Sequence, residues 1–132
     1  MKILLRTGLL TVTVTLAVLF FVLDPSEYVI FPRCPFNILT GYYCPGCGSQ
    51  RAIHSLLHLN FTGVAGNNFL LIPAVALIIY SYTYSFINRF FGLKLPNIFY
   101  MKNMPWVIFF VIGIFGILRN LPYYPFLLLA PN

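Results

Sequence analysis

The sequence predicts an all-α integral membrane protein. About three transmembrane helices are expected, with a short interfacial amphipathic helix after a cysteine-rich loop. Composition is the first reason. Of the 132 residues, 60% are hydrophobic and 8% charged, whereas soluble domains carry about 25% charged residues. So few charges cannot cover a surface that faces water, and the mean hydropathy of +0.88 agrees. The second reason is that the apolar residues gather into three segments, about 7–23, 68–88 and 105–121, each closed by proline or polar residues. The third is the aromatic content of 18%, which suits belts at the two membrane interfaces. The length allows a single membrane domain over 1–132.

The first segment follows Lys2 and Arg6 and is closed by Asp24-Pro25. No small-x-small cleavage site and no lipobox-like cysteine follows it, so it is read as an uncleaved anchor. Thr11, Thr13 and Thr15 interrupt its apolarity, but a threonine hydroxyl can bond a carbonyl one turn back. The connection from 24 to 67 holds four prolines and five glycines (Gly41, Gly46, Gly48, Gly63 and Gly66). This punctuation predicts turns over most of it.

Ser49 to Asn60 is the exception. Ala52, Ile53, Leu56, Leu57 and Asn60 share one side of a helix there; Arg51, His54, Ser55 and His58 share the other. Ser49 is the expected N-cap. The helix is too short to span and is placed at the interface.

In the second span Pro73 falls in the first turns, where proline is tolerated, and Asn67 and Asn68 stand at its entry as helix caps. In the third, Gly113 and Gly116 offer room for another helix. Pro122 and Pro125 then break the chain before an apolar tail, 126–130, which either continues the third span after a kink or re-enters the membrane.

The net charge of +6 does not indicate nucleic acid, because the eight basic residues are scattered singly. They read instead as topology signals. With the N-terminus in the cytoplasm, Lys2, Arg6, Arg89, Lys94 and Lys102 lie inside, and Arg33, Arg51 and Arg119 lie outside. The cysteine-rich loop is then extracytoplasmic, in an oxidising setting. The lipid bilayer is the expected partner, with another membrane protein or a second copy of the chain beside it.

The loop holds the residues with chemical potential. Cys44-Pro45-Gly46-Cys47 is a C-x-x-C directly before the short helix. Its spacing suits a disulfide, a pair of metal ligands or a redox couple. The helix N-terminus is expected to lower the pKa of Cys47, or of Cys44 if that is closer. His54 and His58 share a helix face, and two cysteines with two histidines make a zinc ligand set. Yet a helix starting at Ser49 carries the histidines roughly 7 to 13 Å along its axis from Cys47. The competing reading is that they are polar interfacial residues. Proline after Cys34 and Cys44, with glycines at 41, 46 and 48, should let the loop fold back. Cys34, Cys44 and Cys47 are therefore expected to meet. Arg51, early in the helix, has four open readings: a lipid phosphate, a thiolate, the loop carbonyls or a snorkelling side chain.

The run Cys34-Pro35, Leu39-Thr40-Gly41, Cys44-Pro45-Gly46-Cys47-Gly48, Arg51-Ala52 and Leu56-Leu57-His58 resembles a bacterial membrane family, domain of unknown function 2752. Its pattern is C-P-x-x-x-L-T-G-x-x-C-P-G-C-G-x-x-R-A, followed by an Asn-Pro before a transmembrane helix. Asn68 matches that asparagine and Phe69 departs from the proline. His54 is outside the pattern. The resemblance implies the bacterial inner membrane and marks Pro45, Gly46, Gly48, Arg51 and Asn68 as motif positions. It implies no reaction.

No acid–base pair or phosphate cradle is visible, so a non-enzymatic scaffold or subunit is the first functional reading, with no catalytic residue and no cofactor. The alternatives use the loop. One is a thiol–disulfide protein built on Cys44 and Cys47 with Cys34 as resolving partner. The other is a zinc site of Cys34, Cys44 and Cys47, with His58 as fourth ligand.

Overall fold

The computed structural model describes residues 2–92 and 97–131 and is helical throughout, with no strand among the described residues. Six helices run in the order α1 (Lys2–Val22), α2 (Pro35–Thr40), α3 (Ser49–Leu57), α4 (Phe61–Asn68), α5 (Leu71–Phe91) and α6 (Met104–Leu118). Short 3-10 turns occupy Ile98–Tyr100 and Phe126–Leu129. Lys94, one of the topology residues, lies outside the described residues.

Two helices are long and apolar enough to cross a membrane: Leu4–Val22, with mean hydropathy 2.0, and Leu71–Phe91, with 1.4. Neither buries any of its apolar window within the chain. The hydroxyls of Thr11, Thr13 and Thr15 donate to the carbonyls of Thr7, Leu9 and Thr11 at 2.9, 2.8 and 2.9 Å. They are thus satisfied inside the helix, as the sequence suggested. The third apolar helix, α6, has 15 residues. At 1.5 Å per residue it is about 22 Å long, short of the roughly 30 Å hydrocarbon layer.

The connection 24–67 is more helical than its prolines and glycines suggest. Pro35 is the first residue of α2, where its missing N–H costs nothing. The predicted helix from Ser49 to Asn60 forms but stops three residues early, and a second helix follows it. It ends at Leu57, Leu59 turns into the left-handed region at φ 56°, and Asn60 caps α4 by accepting from Gly63 N–H at 2.9 Å. Ser49 is the first helical residue and not the N-cap; that place belongs to Gly48. α3 and α4 pack against each other, and the end of α1 packs on α3. The tail neither extends α6 nor stands apart, since its 3-10 turn folds back onto α4. The second long helix starts at Leu71 and not 68, because Asn68 closes α4.

The buried residues gather in one place. Phe31, Cys47, Ala52, Val64, Asn68, Phe115 and Arg119 all lie around the cysteine loop. α1, α5 and α6 scarcely pack against one another. The ends of α1 and α6 and the start of α5 meet at this hub.

Candidate functional site: a clasped three-cysteine loop

Cys34 sits at the N-cap of α2, and Cys44 and Cys47 flank a tight turn in which Cys47 N–H donates to Cys44 O at 3.0 Å. Their sulfurs converge. Cys44 Sγ is 3.3 Å from Cys34 Sγ and 3.2 Å from Cys47 Sγ, and the three lie within 4.8 Å of one another. All three are free thiols. Cys44 N–H also donates to Cys47 Sγ at 3.3 Å.

What holds the loop is polar and comes from distant parts of the chain. Arg119, just past α6, is 1% exposed. Its Nη1 donates to the carbonyls of Cys44 at 2.9 Å and Pro45 at 3.2 Å, and its Nη2 to that of Cys47 at 3.1 Å. The guanidinium carbon lies 5.0 Å from the Phe115 ring and 5.8 Å from that of Tyr43, within cation–π range. Its Nε is buried without a partner. Asn120 completes the clasp. Its side chain accepts from Tyr43 N–H at 2.8 Å and donates to Tyr43 O at 2.8 Å. From the other side Asn68, 2% exposed, donates to Pro45 O at 3.0 Å and Ser49 Oγ at 2.8 Å.

Two glycines make these approaches possible. Gly48 has φ +80°, and a Cβ there would collide with the Asn67 carbonyl. Gly116 lets α6 meet the loop rather than another helix: a Cβ would sit 2.9 Å from Pro45 Cγ. A Cβ at Gly113 would meet nothing within 4 Å.

The thiols are not equivalent. The amide N–H of Asn37 in the first turn of α2, together with the neighbouring thiols, brings Cys34 down to about 7. Burial, then the neighbouring thiols, pushes Cys47 up to about 12. The expected depression at Cys47 is therefore reversed. The helix that lowers a thiol is α2, and Cys47 pays the desolvation of its own burial.

The histidines turn away from the sulfurs. His54 Nδ1–H donates to Phe20 O at 2.7 Å, a carbonyl in the last turn of α1. His58 Nδ1–H donates to His54 O at 2.9 Å, and its ring stacks on Phe21 with centroids 4.4 Å apart. They join α3 to α1 through protein carbonyls and a ring, and the sulfur group forms without His58. Neither Asn67 nor Asn68 is the N-cap of α5, a place held by Leu70; Asn67 donates to Gly63 O within α4 at 2.9 Å, and Asn68 Oδ1 accepts from Leu70 N–H at 3.1 Å in the turn between the two helices. Its amide does the further work described above. Arg51 is half-buried and lines the cleft onto which the sulfurs open. Arg119 and Asn120 went unnoticed as site residues in the sequence. The one available signal was an arginine beside an asparagine at the end of an apolar segment.

Fold and site together define a helical protein that carries a three-cysteine loop clasped between its second and third apolar helices. Residues 34–82 match a family model described as Protein of unknown function (DUF2752), which bears out the family resemblance. The match runs past Phe69 into α5 and leaves Arg119 and Asn120 outside it. No curated protein and no solved structure matches the chain.

Proposed function

We propose that the chain is a three-span protein of the bacterial inner membrane, a non-enzymatic scaffold whose extracytoplasmic loop binds a soft metal ion, zinc first, through Cys34, Cys44 and Cys47. One observation carries the metal reading: three sulfurs lie within 4.8 Å of one another, with no covalent link needed to hold them there. Donors 2.3 Å from a tetrahedral zinc stand about 3.8 Å apart. The sulfur spacings of 3.2 and 3.3 Å need to open by only about half an ångström.

The three-span reading is supported by the way the apolar helices alternate in direction about the hub. α1 ends there, α5 starts there and α6 ends there. The orientation is supported by charge. Lys2, Arg6, Arg89 and Lys102 belong to the side away from the hub, and on the hub side Arg119 is a buried structural cation. Among the described residues Arg33 and Arg51 on the hub side stand against four on the other, a bias in the same direction as the one the sequence suggests.

Metal content of the full chain purified in detergent tests the site. About one ion per chain is expected, lost in Cys44→Ser. An ion-free wild type with three titratable thiols rejects the metal. A membrane-impermeant thiol reagent on chelator-treated intact cells tests the orientation; labelling that appears only after lysis reverses it.

The thiol–disulfide reading stays as the runner-up because Cys44 lies equally close to both other sulfurs. One titratable thiol before reduction and three after would favour it.

A further inference from the structure

The clasp fixes one side of the sulfur group and leaves the other side able to give. Arg119 and Asn68 bond the carbonyls of Cys44, Pro45 and Cys47, and Asn120 bonds both backbone groups of Tyr43. None of these bonds uses a sulfur, so the clasp does not depend on what the sulfurs hold. Cys34 lies outside it. That cysteine leads into α2, which buries none of its residues.

The sulfurs also differ in access. Cys34 and Cys44 are half-buried, whereas Cys47 is 6% exposed. An open cleft of ≈ 580 Å³ lies in front of the cysteines, a volume that admits a small molecule. Of the three possible pairs, Cys34 with Cys44 has both members within reach of a reagent in that cleft. Their sulfurs stand 3.3 Å apart. A disulfide at about 2.05 Å needs about 1.3 Å of movement, which the α2 side can supply. Cys44 and Cys47 are as close, at 3.2 Å, but both belong to the clasped turn, and Cys44 N–H is bonded to Cys47 Sγ.

Resting on the metal reading above, we propose that Cys34 and Cys44 form a site of thiol–disulfide exchange whose substrate is a small disulfide, and that the exchange expels the ion. The Cys34 sulfur attacks one sulfur of the incoming molecule. A mixed disulfide forms on Cys34, and the first half leaves as a thiolate. The Cys44 sulfur then attacks Cys34 Sγ, the Cys34–Cys44 bond forms, and the second half leaves as a thiolate. The two cysteine thiolates give up two electrons, the small disulfide takes them, and its two halves take protons from solvent. Cys47 alone is left to the ion, which passes to solvent because one thiolate does not make a zinc site. Reduction restores three thiols in a loop that the clasp still holds. On the oxidising side of the membrane, occupancy of the site then follows the balance of thiols and disulfides outside.

The full chain, zinc-loaded in detergent micelles, is treated with excess hydroxyethyl disulfide, a small neutral disulfide. A chromophoric chelator reads the released zinc. Peptide mass mapping, after the remaining thiols are alkylated in denaturant, reads the linked pair. About one zinc per chain is expected to leave, at least about tenfold faster than in the same chelator without disulfide, and in step with a Cys34–Cys44 bond. Excess dithiol and fresh zinc should restore loading. In C44S that bond cannot form, and a mixed disulfide with one hydroxyethylthio group should remain on Cys34. If C44S fails to fold, the wild-type map decides alone. A bond to Cys47 in either protein, a C44S chain whose Cys34 stays unmodified, or three wild-type thiols that stay reduced overturns the proposal. Zinc that stays bound through the treatment does the same while leaving the metal site standing. A chain that never takes up zinc overturns the metal reading and the expulsion with it, and the bond formed in that ion-free chain still decides the exchange.

Discussion

The hub and the long helices obey opposite rules. Around the cysteine loop, Asn68 and Arg119 are buried polar groups that bond its carbonyls. On α1 and α5 the apolar windows have no burial within the chain, and the hydroxyls of Thr11, Thr13, Thr15 and Thr83 donate to carbonyls of their own helix. The hub is specific because an unpaired buried polar group costs more than a hydrogen bond contributes. The long helices show only apolarity and length, with no partner side chains in the chain to fit. One end of this molecule is therefore a jigsaw, and the long helices present apolar surface that the chain itself does not cover.

Substitutions should separate the two regions, and Arg119 should separate them most. Arg119→Gln leaves the carbonyls of Cys44, Pro45 and Cys47 short of donors and is expected to cost about 3–5 kcal/mol. The exposed Arg89→Gln should stay within about 0.5 kcal/mol. Unfolding in detergent measures both, and equal losses would erase the contrast.

Next in size is Gly48→Ala. It meets the left-handed backbone and the Asn67 carbonyl together, at an expected cost of about 2–4 kcal/mol. Gly113→Ala, with open space around it, should be neutral or stabilise by up to about 1 kcal/mol. Thermal melts of the pair check this; a neutral Gly48→Ala would mean that the hub tolerates repacking.

The thiols sharpen the contrast within the hub. In metal-free protein the alkylation rate of Cys34 should rise through pH about 7, since the thiolate is the nucleophile and dominates above its pKa. Cys47, pushed up to about 12, should stay unmodified wherever the fold persists. Mass mapping after pulse alkylation between pH 6 and 9 reads both, and equal labelling would show that the burial of Cys47 does not protect it. The smallest effect belongs to α1. Thr13→Val removes a hydroxyl bonded only to Leu9 of the same helix and should change the melting midpoint by the equivalent of less than about 0.5 kcal/mol.

Much of the architecture was legible because the signals are local. Apolar runs, their threonines and the convergence of the three cysteines all follow from spacing and turn residues near in sequence. The misreadings share a cause. Pro35 read as a break and Asn60 as the last residue of the predicted helix, yet both stand at the start of helices, since the same residues that end regular structure also cap it. The histidines share a face as expected, but that face meets α1 across 34 residues of chain, a distance at which periodicity carries no information.

The sequence by itself determined the helical class, the long apolar segments and the family-matching cysteine motif, because each depends on composition or on residues a few positions apart. Only the tertiary structure decided which arginine serves the loop. Arg51 and Arg119 are equivalent as charges in a list. They differ because α6 ends where its guanidinium can meet three carbonyls some 72 to 75 residues away. Likewise, which thiol is the more acidic and which the less was set by the helix that Cys34 caps and by the burial of Cys47. Electrostatics depends on distance in space, and the chain order of this protein does not encode that distance.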